Sequence, residues 1–298
     1  MKKVTQKILS MALAAAMVLS AAAVTTPAVK AEAKTTSYNV FVEDGGVELL
    51  FFGDTVSSVS STNSKVVKVK KDRSARYKAI ALFKKPGKAT VSVRVKGYRT
   101  SVTKKYSFNV KKASSILKPS MKAIKSSEYT TNVLVSVKNN SKINFDSVKL
   151  NYTFRDSAGN TLESDTTSVL YLAAKKSGYS TLSLSNRTGN VDLSKSSISV
   201  ASLSRAKALG TGKSVGKSSY LAKYDDSRKV ITFKNKSYGK TYLTICAYIF
   251  FYDESGQIVE VQRKSWSLKK GQVETSSVYE PYGGYASVKV SSYAYASK

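Results

Sequence analysis

Residues able to do covalent or metal chemistry are few in this sequence, and the patterns they form fall short of the motifs they suggest. Gly210-Thr-Gly-Lys-Ser-Val-Gly-Lys-Ser218 approaches a phosphate-binding loop. That loop needs a glycine five residues ahead of its Gly-Lys-Ser, and Thr211 stands there instead. It also needs a buried strand before it and a helix after it, whereas the surrounding Ser, Lys and Gly read as a flexible basic linker. Ser-x-x-Lys, in which a lysine would activate a serine, recurs at Ser101/Lys104, Ser115/Lys118, Ser204/Lys207, Ser214/Lys217 and Ser267/Lys270. No Lys-Thr-Gly or Ser-Asp-Asn element accompanies these hits, so composition alone accounts for them. Asp44, Asp156, Asp225, Asp226 and Asp253 fall at turns, and Glu163 and Asp165 share one strand face. No carboxylate pair is thereby set across a cleft for glycoside hydrolysis. Asp156-Ser-Ala-Gly159 and Asp253-Glu-Ser-Gly256 hold too few acids at alternating positions for a calcium loop. The chain has no histidine and one cysteine, which removes His-dependent triads, His-ligated metals and intrachain disulfides. The expectation is a non-enzyme with no cofactor and no metal.

Charge is the clearest pointer to a partner. The 298 residues hold 49 Lys+Arg against 19 Asp+Glu, a formal net charge of +30. The excess is uneven: residues 34–112 carry 18 basic and 5 acidic residues, whereas 128–206 carry 9 and 6 and 221–298 carry 12 and 7. Lys68, Lys70, Arg94 and Lys96, at outward strand positions, with Arg73, Arg76, Lys104 and Lys105, are the candidate polyanion-binding residues. They are expected to form one basic face. Phosphate contacts of this kind are sequence-blind and salt-sensitive. Nucleic acid is not expected, because no nucleic-acid-binding motif is present and the chain reads as exported.

The export reading comes from the N-terminus. Lys2, Lys3 and Lys7 precede an apolar run from Ile8 to Val24, and Ala31-Glu-Ala33 forms a small-residue cleavage site. Residues 1–33 are therefore expected to be a signal peptide, with Lys34 the mature N-terminus and no membrane span after cleavage. The rival is an uncleaved anchor. Export without disulfides suits a bacterium, and the expected location is extracellular or on the cell surface.

The elements that must position these residues are strands. Val91, Val93 and Val95 alternate with Ser92, Arg94 and Lys96; Val133, Val135 and Val137 alternate likewise, as do Val148, Leu150, Tyr152 and Phe154. Period-two alternation is the mark of a strand with one buried face. No long stretch outside the signal peptide has helical spacing, so the expected fold is all-β, tandem Ig-like sandwiches. Segments 113–127 and 207–220 read as linkers and divide the mature chain into units at 34–112, 128–206 and 221–298.

The last two units repeat one another. Val137-Lys-Asn-Asn-Ser141 matches Phe233-Lys-Asn-Lys-Ser237, and Phe154-Arg-Asp-Ser-Ala-Gly159 matches Phe251-Tyr-Asp-Glu-Ser-Gly256. Leu172-Ala-Ala-Lys-Lys-Ser-Gly178 echoes Leu268-Lys-Lys-Gly271. Three landmarks in one order indicate duplication. The Asp-x-x-Gly step predicts a hairpin turn with glycine at the positive-φ position.

Ser60–Val69, Ala79-Ile-Ala81 and Gly87–Val93 together resemble the bacterial Ig-like domain group 2 (BIG2) family, over about Thr36 to Lys112. The Trp that often precedes the Ser-Ser step in that family is missing here. The Lys-Asn-x-Ser turn, the Phe-x-Asp-x-x-Gly hairpin and the Leu-x-x-Gly step of the two repeats resemble FxLYD-type sandwich modules of Gram-positive exported proteins. These resemblances imply surface display, adhesion or spacing, and no catalytic residues.

In the repeat frame Ile245, Ala247, Ile249 and Phe251 fall on the core face, which leaves Tyr242, Thr244, Cys246, Tyr248, Phe250 and Tyr252 on the other. Tyr242, Tyr248, Phe250 and Tyr252 are the candidate aromatic contact face, for a sugar or a protein partner. The alternative is that a neighbouring unit or strand covers them. Cys246 is either covered with them or a reactive, dimer-forming thiol. The expected function is that of a non-catalytic, wall-associated, adhesin-like protein binding an anionic cell-wall polymer or polysaccharide. The alternatives are a spacer or matrix protein and a carbohydrate-binding accessory to degradative enzymes. Nothing in the sequence sets the oligomeric state.

Overall fold

The computed structural model describes residues 9–10, 35–98, 100–185, 190–205, 214–238 and 242–297. The expected signal peptide, apart from Leu9–Ser10, and the part of the expected second linker at 207–213 lie outside the described residues. The described chain is β-strand joined by turns and short 3-10 segments, and it divides into two compact units, Met1–Ala113 and Ser114–Lys298.

The first unit holds β1 (Leu9–Ser10), β2 (Thr35–Phe41), β3 (Gly46–Leu50), β4 (Thr55–Ser61), β5 (Val67–Lys71), β6 (Lys78–Phe83), β7 (Gly87–Lys96) and β8 (Ser101–Lys111). They form two sheets, β1-β3-β6-β5 and β2-β8-β7-β4. The valines of β7 and Phe108 and Val110 of β8 pack against Val67, Ala79, Ala81 and Phe83 of the facing sheet. Alternation drives this arrangement: each buried valine of β7 is followed by a residue that points to solvent or the sheet edge.

The second unit holds β9 (Leu117–Ala123), β10 (Thr130–Asn139), β11 (Phe145–Arg155), β12 (Thr161–Leu172), β13 (Ser177–Ser185) and β14 (Ser197–Arg205). After β15 (Ser214–Val215) come β16 (Tyr220–Asp225), β17 (Val230–Asn235), β18 (Tyr242–Tyr252), β19 (Ile258–Leu268), β20 (Val273–Ser277) and β21 (Ser287–Ser297). The sheet orders are β13-β10-β9 and β12-β11-β14 for the first set, and β16-β17-β20 and β15-β21-β18-β19 for the second. Read strand for strand, β9 to β14 and β16 to β21 have the same topology, so the unit contains two sandwiches of one design.

The repeated landmarks have matching physical roles. Asn139 and Asn235 are both buried and cross-link the chain: Asn139 donates to the carbonyls of Ile143 and Ala173, and Asn235 to that of Leu268. Each accepts from the serine two residues on, Ser141 or Ser237. Asp156 and Asp253 cap the hairpins, and Gly159 and Gly256 take the positive φ, 88° and 77°. The glycine step is displaced, however: Gly271 (φ 75°) stands in the place of Lys175 (φ 61°), not of Gly178.

Two sequence expectations on organisation need correction. Part of the expected linker 113–127 is strand β9, in which Leu117 is buried and Met121 packs on the core. Pro119 is tolerated there because β9 lies at the sheet edge. The expected linker 207–220 likewise contains β15, which pairs with β21, and ends on the buried Tyr220 of β16.

Candidate functional site

The eight basic candidates of the first unit do not form one face. Lys68 and Lys70 are exposed on β5, across from Leu82 and Ile80 of β6, on the outer side of one sheet. Arg94 and Lys96 of β7 and Lys105 of β8 are exposed on the outer side of the other sheet. Lys104, opposite Val93, points to the inner side and lies with its ammonium 5.2 Å from the centre of the Phe51 ring. Arg73 and Arg76 sit in the turn between β5 and β6. Adjacent to that turn Lys78 bridges Asp72 at 2.8 Å and Glu48 at 3.2 Å, and the contact with Lys78, helped by Ser74, holds the Asp72 carboxyl well below the usual range.

What remains as a coherent basic surface is the outer face of β2-β8-β7-β4. Lys88, Arg94, Lys96 and Lys105 stand on it among Ser92, Thr103, Ser107, Asn39 and Asn109. No strand of that sheet contains an Asp or Glu. Arg94 is oriented by a hydrogen bond to Ser101 Oγ at 3.0 Å, and Asn109 donates to Asn39 across β8 and β2 at 3.0 Å. The face is cationic and rich in hydroxyls and amides, which suits sequence-blind contacts to phosphate or carboxylate groups.

The aromatic candidates of β18 share one face, and it is not a free contact surface. Cys246, Tyr248 and Phe250 are buried with Tyr293 and Tyr295 of β21 against Ile124, Leu134 and Ala173 of the first sandwich, with Tyr179 packed on them. The Tyr179 ring meets those of Tyr248 and Phe250 edge-on, each at 5.0 Å. Tyr293 donates from its hydroxyl to the Tyr171 carbonyl, and Lys125 N–H donates to the Ile258 carbonyl, so polar bonds cross the same junction. Of the four candidates only Tyr242, at the strand end, is exposed, and Tyr252 is half-buried. The physical reason is that apolar area of this size is more stable against a second apolar surface than against water. Cys246 is covered with its neighbours, and burial pushes its thiol pKa up, so the reactive-thiol reading is withdrawn.

A different set of residues, absent from the sequence expectations, gathers at the open edge of the second sandwich. There β19 and β20 are the edge strands of their sheets. Glu260, Gln262, Lys264 and Trp266 of β19 lie opposite Phe251, Ile249, Ala247 and Ile245, all fully buried core residues. Polar side chains thus occupy a core-facing register. The edge strand β12 of the first sandwich has the same pattern, with Glu163, Asp165 and Thr167 opposite Phe154, Tyr152 and Leu150, but here the facing strand β20 ends early, at Ser277. The chain then passes over them as a loop. Gln262 is 3% exposed and donates to the Tyr279 carbonyl at 2.7 Å, while its Oε1 has no partner among the described residues. The Lys264 ammonium lies 5.6 Å from the Tyr279 ring centre, and Trp266 donates its indole N–H to Ser276 Oγ at 2.6 Å. Burial and the Glu260 carboxylate hold the Tyr279 phenol above its ordinary pKa, hence neutral. Alternation in Glu-Val-Gln-Arg-Lys-Ser-Trp was a usable signal, but only the pairing with β18 reveals which face it lies on.

Among the described residues no group of three or more His, Cys, Asp or Glu is placed to hold a metal ion, and no helix is long and apolar enough to cross a membrane. The class of protein that fold and surfaces define is an all-β protein of tandem sandwiches. No protein-family model matches the chain, and no curated protein matches it. Among solved structures it is similar to SGBP-B of the Bacteroides ovatus mixed-linkage glucan utilization locus, in complex with a mixed-linkage heptasaccharide. That match has 6% identity over 91% of this chain and 96% of the other, with a TM-score of 0.20. It is also similar to native alpha-2-macroglobulin from Escherichia coli, at 10% identity over 82% and 94% with a TM-score of 0.16. A Salmonella alpha-2-macroglobulin variant matches at 12% identity over 86% and 21%, with a TM-score of 0.17.

Proposed function

We propose that the protein is an exported, non-catalytic surface protein of a Gram-positive bacterium whose first unit holds an anionic polymer of the cell wall. The observation that carries this reading is the outer face of β2-β8-β7-β4, with Lys88, Arg94, Lys96 and Lys105 and no acid in its strands. A flat cationic sheet lined with hydroxyls meets a phosphate polymer at many points and releases its counterions. The basic N-terminal signal pattern, the apolar run after it and the resemblance to BIG2 modules support export and display. The test is retention of the mature full chain on isolated Gram-positive walls. Retention is expected to fall steeply between low and physiological salt, and to be lost in the triple variant Arg94→Glu, Lys96→Glu, Lys105→Glu. Reversal of Lys68 and Lys70, on the other sheet, is expected to weaken it far less. Salt-independent retention, or full retention by the triple variant, would remove the reading.

A further inference from the structure

We infer that the open edge of the second sandwich is a saccharide-binding site, with Trp266 and Tyr279 as stacking platforms and Lys264 and Glu260 as the groups that meet sugar hydroxyls. Polar residues in a core-facing register are tolerated on an edge strand such as β19, whereas a large ring standing where the sister module has a buried valine is a local departure of the kind that concentrates at functional sites. Here Glu260, Gln262 and Lys264 stand opposite Phe251, Ile249 and Ala247. In the first sandwich the position matching Trp266 is Val169, fully buried beneath the longer β13. Polar residues stand at the other matching positions of both copies, Glu163, Asp165 and Thr167 in the first sandwich, so what the second has gained is a large ring where the first has a buried valine.

The rings are placed and fixed. Trp266, the one tryptophan of the chain, is 40% exposed, and its only polar atom is already bonded to Ser276. Its ring is thus offered as an apolar plane rather than as a hydrogen-bond donor. Tyr279 is 63% exposed on a loop that is tied down along its length. Val278 N–H donates to Lys229, Gln262 holds the Tyr279 carbonyl, Tyr285 is hydrogen-bonded to Asp226 and Lys229, and Ala286 N–H donates to Tyr252. Lys264 is two residues along β19 from Trp266, on the same face, and its ammonium lies against the Tyr279 ring.

Two rings separated by charged groups suit a pyranose chain, which offers apolar C–H faces and a rim of hydroxyls. They suit a protein partner less well, because protein interfaces bury a contiguous apolar centre. Unlike the first unit's basic sheet, this edge sets one lysine, Lys264, against two glutamates, Glu260 on β19 and Glu274 on β20. Its ligand is therefore a neutral or weakly charged polysaccharide rather than a polyanion.

The test is isothermal titration calorimetry of the mature full chain against soluble β-glucan, glucomannan and solubilised peptidoglycan fragments. It is run at about 0.5 M salt, where the Debye length is roughly 4 Å and exposed charge attraction is screened. Binding to at least one of the three is expected. Tyr279→Ala and Trp266→Ala are each expected to weaken it roughly tenfold. The triple reversal Arg94→Glu, Lys96→Glu, Lys105→Glu is expected to leave it unchanged, so that this site and the wall-polymer reading stand or fall separately. Trp266 is also part of the edge packing, so Tyr279→Ala, with an unchanged melting temperature, is the deciding variant. No heat with any of the three polysaccharides, wild-type affinity in Tyr279→Ala, or loss of binding with the charge reversal would each overturn the inference.

Discussion

The two sandwiches of the second unit share strand order, capping aspartates and buried asparagines, yet their matching sheets, β12-β11-β14 and β15-β21-β18-β19, turn opposite chemistries outward. On β11 the outer face is Ser147, Lys149, Asn151, Thr153 and Arg155, a polar row open to solvent in part or whole. On β18 the matching row includes Cys246, Tyr248 and Phe250, buried against the β13-β10-β9 side of the first sandwich. One design thus serves as an ordinary solvated module in one copy and as the socket for its twin in the other. A duplicated core can stay fixed while the residues between core positions decide what the module touches, because alternation keeps the two faces of a strand independent.

The largest expected effect tests that contrast directly. Tyr248→Ser and Phe250→Ser each remove a buried ring and are expected to destabilise the full chain by about 3–5 kcal/mol, the range for large-to-small core changes. The matched substitutions in the first sandwich, Asn151→Ser and Thr153→Ser, are expected to stay within about 0.5 kcal/mol. Urea denaturation of the four variants measures the difference. A small loss at Tyr248 and Phe250 would mean that the junction is not a packed interface.

An intermediate effect is expected at Gly178. A Cβ there would lie 2.4 Å from Val169 Cγ1 and 3.1 Å from the Tyr248 hydroxyl oxygen. Gly178→Ala should therefore cost about 1–3 kcal/mol through overpacking. The position that matches it in the second sandwich is Glu274, half-buried at the shorter edge strand, where alanine should change stability by less than about 0.5 kcal/mol. Equal melting temperatures for the two alanine variants would show that the junction is looser around Gly178 than these distances imply.

The smallest effect concerns the hairpin caps. Asp156 is held below its ordinary pKa of 3.8 chiefly by Asn160, and Asp253 chiefly by Ser255, with Lys125 adding to the second. Both are more acidic folded than unfolded. Their stabilising contribution is therefore complete above that ordinary value and fades as the pH falls below it. Melting temperature followed from pH 6 to pH 2 should drop at the acid end, and drop less in Asp156→Asn and Asp253→Asn. Added salt should blunt the Asp253 contribution more, since its 3.8 Å pairing with Lys125 is a surface contact. An acid limb identical in wild type and both variants would dismiss the caps as its source.

Much of the fold was legible in the residue pattern. Alternating valines in β7 and β10 mark strands outright, and the Asp-x-x-Gly steps mark hairpins because only certain residues tolerate that backbone. The strand β9 was obscured by its Lys, Ser and Pro content, although Leu117, Pro119 and Met121 alternate within it. The basic face was misread for a topological reason. Alternation states that Lys68 and Arg94 both point outward, but a sandwich has two outer faces. Only the pairing of β5 with β6 and of β7 with β8 assigns each lysine to one of them. The aromatic face failed similarly: its membership follows from sequence, whereas its cover comes from Leu134 and Tyr179, more than 60 residues earlier in the chain.

The junction in the second unit joins unlike surfaces, the β13-β10-β9 sheet of one sandwich to the β15-β21-β18-β19 sheet of the next. Such a contact has no internal symmetry to close it, and a third copy could in principle add in the same way. Neither free face carries an aromatic row: the outer row of β11 is polar, and on the other Lys223, Thr232 and Lys234 stand among Leu221, Val230 and Val273 of β16, β17 and β20. These unremarkable residues act as terminators. Grafting the aromatic row of β18 onto β11 would remove one of them and leave the other, so a filament would also need the β16 and β17 face recast as a socket like that of Leu134 and Tyr179.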